Sequence, residues 1–373
     1  MAHDSVVDDG KSKIVTKFLL NTCRLTQPSI HHVYAATWRS IIGTQIGGGA
    51  MIPLTTGSVA EFYIQPMLSC VGDLDIMAYT NAMLAIPPGY PPPSQLPAEF
   101  YSWVLVREIF DTLYPGYVYL GSSYELRQNT DTDRYDAVNY RPDGMLLAEN
   151  DTRLDARHQH NGPAFTITSS EGESLDLVHC IRCLSWPTQA ADWPTRHRNY
   201  DWPDLATVDR VVSNGCDLVQ VAHYLHKQDE WMKKHQWRLS FSRAEIVLLN
   251  SWMPVQQIVY HMLRVFVKTE RLTDITDSTG TKILSNYHIK TLMLWACELK
   301  PRTWWSEDMN VVRMCVVLLH VLVDWLKNRN CPHYFVNNCN LIDTSLQVEI
   351  IISQLVSITE SWLSMWFVNN YLQ

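Results

Sequence analysis

Three aspartates carry the clearest chemical potential in this chain. In Gly72-Asp73-Leu74-Asp75-Ile76-Met77, the alternation of side chains along a strand puts Asp73 and Asp75 on one face while Leu74 and Ile76 turn into a core. Two carboxylates held that close repel and raise each other's pKa, and a hard divalent cation relieves this by taking oxygens from both. The solvated face of an edge strand accounts for the pair equally well. Asp176 lies within Leu175-Asp176-Leu177-Val178, an apolar run where a charge needs a partner. Where its strand adjoins that of the pair, three carboxylates converge, as a two-metal phosphoryl-transfer site requires. Upstream, Gly57 and Ser58 supply close backbone approach and a hydroxyl at a helix start, where free N–H groups favour phosphate. Ser58 and Glu61 also spell a capping box, which needs no ligand.

The elements that must position these residues are strands over 51–55, 71–78 and 174–184, with a short helical turn after Gly57. Apolar positions at helical spacing over 14–46 suggest two preceding helices, broken near Pro28 and at Gly47-Gly48-Gly49. Pro87-Pro88-Gly89-Tyr90-Pro91-Pro92-Pro93 must be a surface loop, since proline is excluded from helix interiors and central strands. Polar sequence over 128–160 reads as hairpins or a mobile loop. Beyond Leu205 the runs 244–249, 255–267, 287–298, 311–326 and 346–366 have helical periodicity, with no hairpin signal between them. The expected architecture is α+β: a mixed sheet flanked by helices over 1–204 and an all-helical half over 205–373.

With 373 residues, 46% apolar and 18% charged, an ordered globular chain is expected. A net charge of −8 excludes a protein that coats nucleic acid with its whole surface. The charge is uneven: from Lys227 to Arg302 there are twelve Lys or Arg against seven Asp or Glu. Lys227, Lys233, Lys234, Arg243, Lys268, Arg271 and Lys282 are candidates for a local basic face. Nine scattered cysteines fit free thiols in a reducing compartment, so a cytoplasmic location is expected. No secretory signal is read at the start. The stretch 311–326 is broken by Arg313, His320 and Asp324, so no membrane span is expected. Cys180 and Cys183, three apart on a strand, face opposite ways and have no second Cys pair, so zinc is not expected there. His31-His32 and His158-x-His160 likewise lack partners at ligand spacing.

Gly57-Ser58, Asp73-x-Asp75 and Asp176, in that order, resemble the signature of the polymerase-beta-like nucleotidyltransferase superfamily. Further blocks follow: Trp237-Arg238-Leu239-Ser240-Phe241-Ser242-Arg243-Ala244-Glu245, Tyr287-His288-Ile289-Lys290-Thr291, His333-Tyr334-Phe335 and Asn340-Leu341. These resemble the male-abnormal-twenty-one domain shared by cyclic GMP-AMP synthase and its invertebrate relatives. The likeness runs from about Ile46 to near the C-terminus. It implies a bilobed polymerase-beta-like fold and a magnesium- or manganese-dependent enzyme that joins ATP, GTP or other nucleoside triphosphates into a cyclic dinucleotide, an innate immune messenger. By position, Asp73, Asp75 and Asp176 match the metal-binding acids, and Gly57 and Ser58 the phosphate-gripping turn. Arg238 and Ser240 match contacts to base or phosphate, Tyr287 a base-stacking ring and Arg264 a phosphate-contacting lysine.

Two departures matter. The stretch from Glu245 to Met262 has no cysteine, so the zinc module that grips DNA in the vertebrate enzyme has no counterpart. Double-stranded RNA, to which zinc-less members respond, is the nearer expectation for an activator. Asn286 stands where the vertebrate enzyme has serine, so base preference does not carry over. Two other functions compete: a catalytically silent developmental or scaffolding member, and a transferase making linear oligonucleotides.

Overall fold

The structure is a computed structural model describing residues 2–22, 25–26, 50–56, 63–64, 74–140, 160–161, 164–168, 174–226, 228–276, 282–306, 310–342 and 347–371. Its elements run α1 (Ala2–Thr22), β1 (Leu25–Thr26), β2 (Met51–Thr56), β3 (Tyr63–Ile64), β4 (Leu74–Ile86), β5 (Trp103–Asp111), β6 (Tyr117–Asn129), β7 (Arg134–Val138), β8 (His160–Asn161), β9 (Ala164–Thr168) and β10 (Ser174–Cys183). There follow α2 (Leu205–Ser213), β11 (Cys216–Gln220), α3 (Glu230–His235), β12 (Gln236–Ser240), α4 (Ser242–Asn250), α5 (Pro254–Thr269), α6 (Asn286–Leu299), α7 (Arg302–Ser306), α8 (Val311–Lys327), α9 (Glu349–Leu355) and α10 (Glu360–Tyr371).

Ten strands form one mixed sheet in the order β2-β4-β5-β6-β12-β11-β10-β9-β8, with β7 on β6. β4 also pairs with β10, so the ladder β4-β5-β6-β12-β11-β10 closes on itself. β4 makes this possible by changing partners along one edge: its 75–80 stretch pairs with β2 and its 83–86 stretch with β5. Asn81 marks the change. Its side chain accepts from Ala50 N at 2.8 Å and donates to Glu99 O at 2.8 Å, tying the start of β2 to the approach to β5. Nearly every residue from Ile76 to Ile86 is buried, as expected of a strand covered on both faces. That is why β4 runs past the expected end at residue 78.

The turn from α2 into β11 requires Gly215, at φ +59; a Cβ there would lie 2.3 Å from Cys183 O. The same turn is held by Arg182, 7% exposed, which donates to the carbonyls of Cys183, Cys216 and Asn214. β11 and β12 correct the expectation of an all-helical chain beyond Leu205. β11 is buried over four of its five residues and shows no strand period, whereas β12 alternates polar and apolar residues but is too short to stand out from the helical runs around it. Only beyond Ser240 is the chain helical throughout its described regular elements.

α5, α6, α9 and α10 pack around α8. α1 joins them instead of the sheet with which its chain position grouped it: Val15 and Leu19 are fully buried, Phe18 meets Phe367 at 6.1 Å, and Ser12 donates to Asn310, the α8 cap, at 2.7 Å. The expected helix over 346–366 is two helices, with Thr359 Oγ1 accepting from Trp362 N at 3.2 Å to start the second. No single described helix is long and apolar enough to cross a membrane.

The segment that crosses from β10 to α2, with Trp186-Pro187, Trp193-Pro194 and Trp202-Pro203, is clamped to the helices by Glu298, 3% exposed. Glu298 accepts from Arg196 Nη2 at 2.7 Å and Tyr334 Oη at 2.7 Å, with Arg198 Nε at 3.5 Å. Arg196 also lies 4.5 Å over the Trp295 ring. Glu298→Ala leaves two half-buried guanidinium groups without their acid, and we expect a loss of up to about 3 kcal/mol in urea unfolding. Glu349→Ala, which removes an exposed partner of Arg329, is expected to leave the midpoint nearly unmoved.

Candidate active site

Parallel pairing of β4 and β10 sets Leu175 opposite Leu74, Asp176 opposite Asp75 and Leu177 opposite Ile76. Opposed residues on neighbouring strands share a face at about 4.8 Å strand spacing. Two carboxylates distant in the chain therefore stand side by side, both partly exposed. Antiparallel β2 flanks them, with Thr56 opposite Asp75 and its Oγ1 donating to Asp75 O at 3.3 Å. Gly57, Ser58 and Glu61, which follow Thr56 in the chain, lie outside the described residues, as does Asp73, which precedes Leu74.

The next side chain on that face, Met77, accepts from the Ser240 hydroxyl at 3.7 Å, and Ser240 lies 3.1 Å from Ser242 Oγ. β12 thus reaches the same face as the acids. Ser240 is in register with Asp217 of β11, a fully buried carboxylate that accepts from Arg243 Nε at 2.8 Å. Arg243, expected on a basic surface, is instead turned inward over the Tyr79 ring. An inward carboxylate beside it explains the difference.

Arg238, two residues before Ser240 on the same strand face, is exposed and hydrogen-bonded to the Tyr117 phenol. Burial pushes that phenol's pKa up, and the guanidinium partly opposes the shift. The charge of Arg238 also acts on Tyr287 and His333. Tyr287, in the first turn of α6, places its hydroxyl 3.2 Å from His333 Nε2 and hydrogen-bonded to Glu245, which is 4% exposed. Glu245 in turn accepts from Lys290 at 2.9 Å. Burial first, then the Glu245 charge, drives the Tyr287 pKa well above the ordinary phenol value.

The structure thus sets Asp75 and Asp176 side by side, with Ser240 bonded to the neighbouring Met77, and puts Arg238 within electrostatic reach of Tyr287. Arg264 is apart from them: it is 7% exposed within α5, which packs on other helices, and its guanidinium lies 5.4 Å over the Tyr260 ring of its own helix. Tyr117 went unnoticed in the sequence, although Pro115-Gly116 between two apolar runs was the available hairpin signal. Asp217 carries no sequence signal beyond being a charge in an apolar pentapeptide.

Asp75 and Asp176 offer hard oxygen donors from adjacent strands, a set that fits magnesium or manganese. Among the described residues no group of three or more His, Cys, Asp or Glu that could hold a metal is present; Asp73 lies outside them.

Two family descriptions match the chain. Residues 136–251 are similar to the Mab-21 protein nucleotidyltransferase domain, and residues 255–354 to the Mab-21 protein HhH/H2TH-like domain. Among known proteins, "Protein mab-21-like" from Aedes aegypti is 33% identical over 171 residues, 45% of this chain and 44% of that protein. The matched stretch therefore spans less than half of the relative's length.

Two histidines, the buried His261 and the half-buried His333, give the structure an acid limit. Burial, with Arg238 beside one and Arg264 beside the other, lowers both His333 and His261 to about 3, from about 6.5 in the unfolded chain. Between these values the unfolded chain binds protons that the fold refuses, so stability falls as pH drops from about 6.5 towards 3 and is flat above. Urea midpoints measured across that range are expected to fall, and less steeply in His261→Gln; an equal slope in the variant counts against a neutral buried His261.

Proposed function

This chain belongs to the Mab-21 family, and on that footing we propose that it joins two nucleoside triphosphates into a cyclic dinucleotide, acting as an innate immune sensor. Its first matched domain is a nucleotidyltransferase domain. The observation that carries the finer reading is the register of Asp176 against Asp75.

Asp73, Asp75 and Asp176 would hold magnesium or manganese, which when bound neutralises the triphosphate and makes the attacking hydroxyl more acidic. The Asp176 carboxylate accepts the proton of a 3'- or 2'-hydroxyl. That oxygen bonds to the α-phosphorus of the second nucleotide as the bond to pyrophosphate breaks. A second attack within the linear product closes the ring and releases a second pyrophosphate. By their match to the family's phosphate-gripping turn, Gly57 and Ser58 would hold the triphosphate through backbone N–H and hydroxyl. The exposed Arg238 and neighbouring Ser240 orient a base or phosphate, with planar guanidinium donors suited to either. Tyr287 presents its ring to a base.

Chromatography of products from labelled ATP, GTP, CTP and UTP with magnesium or manganese tests the proposal. Asp75→Asn and Asp176→Asn are each expected to lose about three orders of magnitude of product while circular dichroism stays unchanged. Product surviving in both variants argues against these acids. Linear chains from the wild type favour the oligonucleotide-making alternative, and silence with every activator favours a scaffolding or developmental member.

The proposed activator is double-stranded RNA, supported by the missing His and Cys cluster between Glu245 and Met262. Its candidate contacts are Lys233 and Lys234 on α3 and Lys268, Arg271 and Lys282 at and after the end of α5. Stimulation is expected to fall about a hundredfold or more between ~50 and ~200 mM salt; indifference to salt points to a small or protein ligand.

A further inference from the structure

The geometry points to His333 as a positioning residue: a fixed hydrogen-bond donor that orients Tyr287, the ring proposed above to meet a base, without itself touching substrate. This rests on the nucleotide-binding reading above. His333 Nδ1 accepts two backbone N–H groups, from Phe335 at 3.0 Å and Val336 at 3.1 Å. A nitrogen that accepts carries no proton, so the neutral ring keeps its proton on Nε2. Nε2 lies 3.2 Å from the Tyr287 hydroxyl and must donate to it. Tyr287 then turns its own proton to Glu245, whose carboxylate is also held by Lys290 at 2.9 Å. The direction of every bond in the chain from His333 to Lys290 follows from one tautomer.

The donor is itself held in place. His333 N donates to Cys339 O at 2.8 Å, and Pro332 bridges Asn340 across the loop. Asn340 Oδ1 accepts from both Cys331 N and Ile342 N, and Trp295 Nε1 donates to Pro332 O at 2.9 Å. The ring packs against the edge of the stacked Phe241–Phe335 pair. A tyrosine tethered at its hydroxyl from both sides has already lost the rotamer freedom that binding a base would otherwise cost.

Two variants separate the tether from packing. His333→Phe keeps the ring and removes both nitrogens; His333→Gln keeps an N–H near the position of Nε2. Carbon-13 NMR of ring-labelled tyrosine, with Tyr287 assigned through Tyr287→Phe, reads the phenol bond without nucleotide. Calorimetric titration with ATP, GTP and inorganic triphosphate reads binding. His333→Phe is expected to shift the Tyr287 resonance and weaken the preferred nucleotide about three- to tenfold, leaving inorganic triphosphate, which has no base, unaffected. His333→Gln is expected to recover most of both. An unshifted resonance, or a shifted one with wild-type nucleotide affinity, overturns the positioning role while leaving the nucleotide reading intact. Equal weakening of inorganic triphosphate also overturns it. A wild-type protein that binds neither nucleotide overturns both.

Discussion

Everything chemical in this molecule depends on how β10 registers against β4. The pairing is parallel, and its side-chain period is two, so a slip of one residue would carry Asp176 off the face that holds Asp75. Apolar neighbours specify the register. Leu177 and Ile76, directly opposed, are buried, while Met77 and Cys180 are buried on the other face. A slipped strand would move two sets of buried side chains to the wrong sides at once. The acids are therefore brought together by hydrophobic residues that have no chemistry of their own.

The second requirement is that the helical half meet the sheet at a defined place. β12 supplies Ser240 and Arg238 from within the sheet, and α6 supplies Tyr287 from the helices. The loop from Cys331 to Ile342 spans the join. At one end His333 reaches Tyr287, and the adjacent Tyr334 reaches Glu298, which also holds Arg196 of the crossing segment. Consecutive residues of one tight loop thus attach to opposite ends of α6, and Tyr334 O also accepts from Arg196 of the crossing segment at 3.0 Å.

How much of this was legible in the sequence follows from the range of each signal. The Asp-x-Asp spacing and the strand at Asp176 were readable because strand alternation is local. Their adjacency was not, because parallel pairing between distant segments leaves no local trace. α5, α6 and α8 were readable from sustained apolar periodicity over three or more turns. β11 was missed because its buried residues show no period, and β12 because five alternating residues are too few to outweigh the helical runs around them. The place of α1 was missed because chain order says nothing about which half a helix packs on. Arg243 counted as surface charge, since a sequence does not reveal Asp217 waiting inside.

Asp217 with Arg243, Glu245 with Lys290 and Glu298 with Arg196 form a pattern: each acid is at most 5% exposed and each pair joins different elements. Buried pairs add little net stability, since desolvation offsets their attraction, yet breaking one is costly. Their effect is to penalise alternative packings more than to favour the native one. All three acids lie in or next to the elements that hold Ser240, Tyr287 and the His333 loop. Apolar packing alone tolerates small rotations of one element on another, whereas a buried acid that loses its base does not. A site assembled from one pair of strands, a third strand and a helix needs that intolerance, because an error of about 1 Å in any one of them is enough to weaken the chemistry.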